Sequence, residues 1–263
     1  MTDFPPSSHL TIGPYRLSLR WWQPPARRDD REPPTLVLLH EGLGSISLWR
    51  DFPAQLAAAT GYRVLAYSRP GYGESAPHAA PRTPRYMHDE ALEVLPALLG
   101  ALGIRRPLLV GHSDGGSIGL IHAGAFPDQL RGLVAIAPHS WVEEEALAGI
   151  REAGKVWEDS DWPTRLAKHH VDANRVFHDW HDTWLSPAFR DWNITDYLPA
   201  IRCPLLALQG DRDEYATLRQ IEILGERAGA QVQVLADCGH SPHREQPAAT
   251  VAAIAAFCRT LEA

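Results

Sequence analysis

The sequence predicts an α/β fold, with a mostly parallel central sheet covered by helices on both faces and one helical insertion. Three observations predict it. Short apolar runs alternate with segments of helical periodicity along most of the chain. The run at 107–110 passes through Gly111-His112-Ser113-Asp114-Gly115 into a segment whose Gly115, Gly116, Gly119 and Ala123 recur at helical spacing, a face thin enough to press against a sheet. Residues 139–197 then break the alternation with a different composition. They hold six of the nine tryptophans (Trp141, Trp157, Trp162, Trp180, Trp184, Trp192) and, after His139 at their start, four more histidines, His169, His170, His178 and His181.

Taken in order, residues 9–22 read as two short strands around Gly13 and Pro14, and QPPARRDDREPP as a polar turn. An apolar strand follows at 35–39, then a helix at 51–60 ended by Gly61 and a strand at 63–67. The spacing predicts a helix over 87–102 stopped at Gly103, the strand at 107–110 and a helix over 115–126. Strands at 132–137, 204–209 and 232–235 complete the sheet, with helices near 215–228 and 247–261. No internal repeat is visible.

With 263 residues and 44% hydrophobic content the chain can bury one large core. We expect a core of 1–138 and 198–263 and a helical cap of 139–197. Lys and Arg total 25 against 32 Asp and Glu, a net charge of −7, with no basic cluster beyond Arg27, Arg28 and Arg31. Nucleic acid is therefore not an expected partner. The first residues lack a basic start followed by an apolar run, and no stretch approaches the length of a membrane span. The expectation is a cytoplasmic protein, monomer or homodimer, acting on a small molecule away from membranes. Cys203, Cys238 and Cys258 show no CxxC spacing, which suits a reducing compartment and argues against a disulfide framework or a thiolate metal site. Cys238 reads as a small buried residue.

Chemistry centres on Ser113. A serine hydroxyl is a poor nucleophile until it is aimed by a tight turn and set beside a base, and glycines at 111 and 115 leave room for such a turn. The base in turn needs an acid to orient it. After the insertion, LLALQGDRDEY offers Asp211 and Asp213, and VLADCGHSPHREQP offers His240 and His243. Each would be unremarkable alone in a loop. Their order after the serine gives them weight.

These motifs, spread over nearly the whole chain, resemble those of the α/β-hydrolase family, which implies the α/β-hydrolase fold. In that family the acid closes a Gly-x-x-Asp pattern, here Gly210 to Asp213, and the base follows Gly in a pattern matched by GHSPHREQP. The resemblance thus selects Asp213 and His240 as partners of Ser113, leaving His243 as a surface or pocket-rim residue and Asp211 in a turn. It also implies an oxyanion hole from the amide after the serine, Asp114, and one from the loop LLHEGLGS. The family's usual His-Gly is here His40-Glu41, so the second donor is expected at Gly42, with Leu43 next. The loop YSRPGYGES carries Ser68 where the family usually has Asp, and is read as structural.

A serine at the elbow argues against the haloalkane dehalogenase and epoxide hydrolase branches. The elbow and the LHEGLGS loop are most similar to the valacyclovir hydrolase-like branch, which cleaves α-amino-acid esters. There the acidic residue after the serine helps bind the substrate's amino group, and Asp114 matches it; the competing reading has Asp114 capping its helix. The insertion is expected over the carboxyl ends of the strands, with most tryptophans in its own core. Trp141 and Trp184 are the candidates for facing substrate, joined by Leu43 and by Glu41, itself a turn residue or a carboxylate at the pocket mouth. A carboxylic ester hydrolase is the leading expectation, without metal or organic cofactor. Alternatives are a carbon–carbon hydrolase of ring-cleavage products, a thioesterase or perhydrolase, and a non-catalytic receptor on the same fold. The insertion's histidines lack a metal-ligand spacing and read as polar helix faces.

Overall fold

The computed structural model describes residues 7–25, 33–77 and 82–262. Arg27, Arg28, Arg31 and most of the polar turn lie outside the described residues. Eight strands form one sheet in the order β1-β2-β4-β3-β5-β6-β7-β8. β1 (Ser8–Ile12) and β2 (Tyr15–Trp22) form an antiparallel hairpin, and β2 runs antiparallel to β4 (Arg63–Tyr67). All other pairings are parallel, through β3 (Thr35–Leu39), β5 (Leu108–His112), β6 (Gly132–Ile136), β7 (Leu205–Gly210) and β8 (Gln231–Leu235). The chain steps from β3 outward to β4 and then returns across β3 to β5. That reversal opens a crevice at the carboxyl ends of β3 and β5, the place where open α/β sheets take their ligands.

The helices are α1 (Phe52–Thr60), α2 (Tyr86–Asp89), α3 (Leu95–Ala101), α4 (Asp114–Ala125), α5 (Glu144–Asp159), α6 (Trp162–Leu166), α7 (Ala173–Leu185), α8 (Arg219–Ala228), α9 (Pro242–Glu245) and α10 (Pro247–Thr260). Alternate residues of each strand go to opposite faces. Val37, Leu39, Leu65, Leu109 and Leu133 pack with Leu95, Leu98, Ile118, Ile121 and Leu224 from α3, α4 and α8. Leu36, Leu38, Val110, Val134 and Leu208 pack on the other face with Leu56, Ile254 and Phe257 from α1 and α10. Burial on both faces is why the inner strands are apolar without alternation.

Two boundaries differ from expectation. The helix predicted over 87–102 is α2 and α3 joined by a π-helical turn at Glu90–Val94, where buried Glu90 accepts a hydrogen bond from the Tyr67 hydroxyl (2.6 Å). The helix predicted from 215 starts at Arg219, because side chains take up the amides before it: Asp213 holds Tyr215 N–H (2.9 Å) and Glu143 holds Thr217 N–H (3.0 Å). Between β6 and β7, α5 and α7 pack together through Trp157 lying flat on Phe177 (4.0 Å, 6°), and their buried residues are continuous with the cluster on that face of the sheet. Among the described residues no helix is long and apolar enough to cross a membrane.

Candidate active site

Ser113 sits between β5 and α4 at φ 53° and ψ −119°, a conformation that L-residues rarely adopt. The turn depends on its two glycines: a Cβ on Gly111 would run into the Gly115 carbonyl, and one on Gly115 into the Leu39 carbonyl of β3. Helix, strand and neighbouring strand are thus drawn together at the serine. Its N–H donates to Ile136 O (2.9 Å) and its carbonyl accepts from Ser117 N–H (3.0 Å), fixing the turn on both sides.

Asp213 follows β7 and His240 follows β8, and the two loops deliver them to the serine in line. His240 Nδ1 lies 2.8 Å from Asp213 Oδ1, and His240 Nε2 lies 3.0 Å from Ser113 Oγ. The backbone of His240 is held from two directions, its N–H by Glu214 (3.2 Å) and its carbonyl by His112 Nε2–H (2.8 Å). Burial disfavours the charged form of His240, yet the Asp213 carboxylate outweighs it and raises the imidazole above its ordinary value. Burial likewise works against ionised Asp213, but the charge and hydrogen bond of His240 hold it below the usual carboxylate value.

The loop after β3 is built on a buried histidine. His40 Nε2 accepts from Arg69 N–H (3.0 Å), so its proton is on Nδ1, which donates to Glu41 O (2.8 Å). Arg69 Nη2 donates to the same carbonyl (2.8 Å). With the Glu41 carbonyl committed to the interior, a trans peptide turns Gly42 N–H the opposite way, and Gly42 lines one cavity with Ser113. The Trp180 ring lies so close over Gly42 that any Cβ would collide with it. At the start of α4, Asp114 N–H has no intrahelical acceptor, since the first such bond runs from Ser117 N–H to Ser113 O.

Around these groups lies a cavity of about 550 Å³. Its floor is Glu41, Gly42, Leu43, His112, Ser113 and His240, and the insertion supplies Ala146, Ile150, Trp162, Leu166, Trp180 and Trp184. Tyr215 adds a ring 4.9 Å from that of His240. Trp184 and Leu43, two of the residues expected to face substrate, both line this cavity.

Four expectations are corrected by the geometry. Trp141 does not line the cavity; it forms a bridge with Asn193, and its carbonyl accepts from Gln220 (3.2 Å). Asp114 does not turn its carboxylate into the cavity. That group, read as either a substrate contact or a helix cap, is buried, accepts from the Tyr86 hydroxyl (2.8 Å) and pairs with Arg69 (3.5 Å), while Tyr86 in turn accepts from Trp184 Nε1–H (2.9 Å). His243 is no rim residue but is buried against Trp49, Phe52 and His112. His170 is not on a polar helix face; it is buried, its Nδ1 accepts from Gly73 N–H (2.9 Å) and its Nε2–H donates to Leu43 O (3.0 Å), tying the insertion to two loops below it.

Glu41, left open between turn and pocket, lines the cavity with its carboxylate 3.7 Å from His112 Nδ1. Burial would raise its pKa, but His112 beside it holds it well below the carboxylate range. Sequence reasoning missed Arg69, Tyr86, Trp180 and His139. For His139 a signal existed, since it follows the carboxyl end of a central strand; for Arg69, Tyr86 and Trp180 only packing shows the role.

A model of the "Alpha/beta hydrolase family" matches residues 36–254. The chain is 29% identical over 252 residues to the 2-succinyl-6-hydroxy-2,4-cyclohexadiene-1-carboxylate synthase of Enterobacter sp. (strain 638), covering 86% of this chain and 92% of the relative. It is 26% identical over 216 residues to serine hydrolase BPHL of Mus musculus, covering 79% and 73%. Among solved structures, proline iminopeptidase of Mycobacterium smegmatis superimposes with a TM-score of 0.77 at 22% identity, covering 97% of this chain and 98% of that one. The enol-lactonase of Burkholderia xenovorans LB400 gives 0.73 at 21%, covering 95% and 99%. At such identities these two structures speak to the fold alone.

Proposed function

The chain belongs to the alpha/beta hydrolase family, and from that premise we propose that it is a serine hydrolase cleaving carboxylic esters of small molecules through an acyl-enzyme on Ser113. The observation that carries this reading is the unbroken line Asp213, His240, Ser113 at 2.8 and 3.0 Å. With the Nδ1 proton directed at Asp213, the lone pair of His240 Nε2 faces the serine hydroxyl. His240 takes that proton as Oγ attacks the carbonyl carbon, and Asp213 steadies the imidazolium.

The negative charge that gathers on the carbonyl oxygen goes to Gly42 N–H and Asp114 N–H, both fixed before substrate arrives. Collapse of the adduct expels the alcohol, which takes the proton from His240. Water, deprotonated by the same imidazole, then attacks the acyl-enzyme and releases the acid. The aromatic wall from the insertion suits a largely apolar acyl or alcohol group.

The test is hydrolysis of p-nitrophenyl acetate by the wild type and by Ser113→Ala. Turnover lost in Ser113→Ala supports the reading; equal turnover overturns it, and so does none on any ester, which favours a receptor where no other Ser113-dependent reaction is found. A second reading follows from the similarity to the synthase of Enterobacter, with Ser113, Asp213 and His240 serving to form a cyclohexadiene carboxylate. Ser113-dependent formation of such a compound with no ester turnover would favour it.

A further inference from the structure

His139 follows β6 at its carboxyl end, after Ala137, itself a non-glycine residue at φ 45°. Its backbone is pinned to the nucleophile's helix: its N–H donates to Ser117 Oγ (3.0 Å), and that hydroxyl donates to the His139 carbonyl (2.7 Å). Ser117 is one turn from Ser113 and bonded to it, so the imidazole keeps a fixed distance from the reacting serine. The ring meets Trp184 edge-on (5.0 Å) and lies 5.8 Å from the ring of His240.

This side chain is only 3% exposed, yet it lines the cavity. Nδ1 is enclosed, and among the described residues neither ring nitrogen has a hydrogen-bond partner. Enclosing an unpaired N–H is the rarer and costlier arrangement. The proton therefore belongs on Nε2, the nitrogen left to the cavity. A buried donor that the protein does not satisfy, held beside a nucleophile, is built for a ligand atom.

We infer that His139 recognises substrate, its Nε2–H donating to a neutral oxygen on the acyl group, which assigns the substrates to esters of alkoxy-, hydroxy- or oxo-acids. This rests on the serine-hydrolase reading of Ser113. Burial, with the adjacent His240, pushes the His139 pKa down to about 3, so at neutral pH the ring offers a dipole and no charge. A neutral ring also adds no repulsion when His240 becomes charged.

p-Nitrophenyl methoxyacetate and p-nitrophenyl butanoate differ by an ether oxygen in place of a methylene. The ratio of their kcat/KM values, compared between proteins, cancels their intrinsic reactivity. We expect His139→Leu to lower the methoxyacetate-to-butanoate ratio about fivefold to tenfold, the worth of one hydrogen bond, and His139→Gln, which keeps an N–H donor, to restore part of it. A ratio unchanged in both variants overturns the assignment. The same two esters are titrated calorimetrically into Ser113→Ala with and without His139→Leu. A methoxyacetate preference that needs His139 but accompanies no Ser113-dependent turnover sinks the hydrolase reading alone; equal affinities in both proteins sink the role of His139 alone.

Discussion

Asp114 acts through both of its ends. Its N–H opens α4 beside the serine, and its carboxylate holds Arg69, which in turn holds the Glu41 carbonyl and so the orientation of Gly42 N–H. Arg69→Met removes one grip on that peptide and leaves a buried carboxylate unpaired. We expect a loss of about 3 kcal/mol in stability by denaturant unfolding, partly recovered in Arg69→Met/Asp114→Asn. The expected kinetic effect is a fall in kcat of roughly tenfold to a hundredfold with KM little changed, a shifted oxyanion donor being a transition-state defect. For His240, only the neutral ring can take the serine's proton. Because Asp213 raises its pKa, kcat/KM should climb with pH through an inflection above the ordinary imidazole value; Asp213→Asn should move that inflection down and cut kcat by about 10⁴-fold. A wild-type inflection below the ordinary value would contradict the arrangement. The hydrogen-bonded line of Asp213, His240 and Ser113 was legible in the sequence because its members sit in motifs with a required order. The carboxylate of Asp114 was not, since its partners Arg69 and Tyr86 are 45 and 28 residues distant, and no local pattern says which way a helix-start aspartate turns.

At the scale of elements, the insertion meets the core through contacts that depend on missing or neutral atoms. Trp180 of α7 occupies the place where a Gly42 side chain would be. Gly42→Ala must displace either the ring or the peptide, and a shift of this size beside the reacting atoms should lower kcat/KM by about a hundredfold. Trp180→Leu in the same protein makes room, so the double variant should recover much of the loss; no recovery would place the damage elsewhere than in this contact. The sheet was legible almost strand by strand, because strands buried on both faces are short apolar runs bounded by turn residues. The start of α8 was not, because the side chains that hold back its first turn come in part from Glu143, far away in sequence.

Across the whole molecule, several histidines are buried as neutral rings. Burial, the main cause in each, pushes His139 to about 3 and His170 to about 4, with His40 and His243 well below their ordinary value of 6.5. These rings bind fewer protons folded than unfolded. The stability they contribute is therefore complete above pH 6.5 and is lost as pH falls toward the folded values. At pH 4.5 the share of His170 alone is on the order of 2 kcal/mol, and thermal melts should show Tm falling steadily from pH 7 to pH 4.5. His170→Gln, which has a donor and an acceptor but does not titrate, should flatten that slope; an unchanged slope would show that His170 does not contribute to it.

Under the proposed hydrolase reading, the backbone at Ser113 sets activity against endurance. A side chain of any kind at φ 53° carries a conformational cost that glycine does not. Ser113→Gly should accordingly melt higher than Ser113→Ala, by about 1 kcal/mol in unfolding free energy, though both are inactive. A library of this gene selected only for heat resistance would drift toward glycine at position 113, trading away its chemistry at the first opportunity. Any effort to harden this protein has to screen for turnover in the same round.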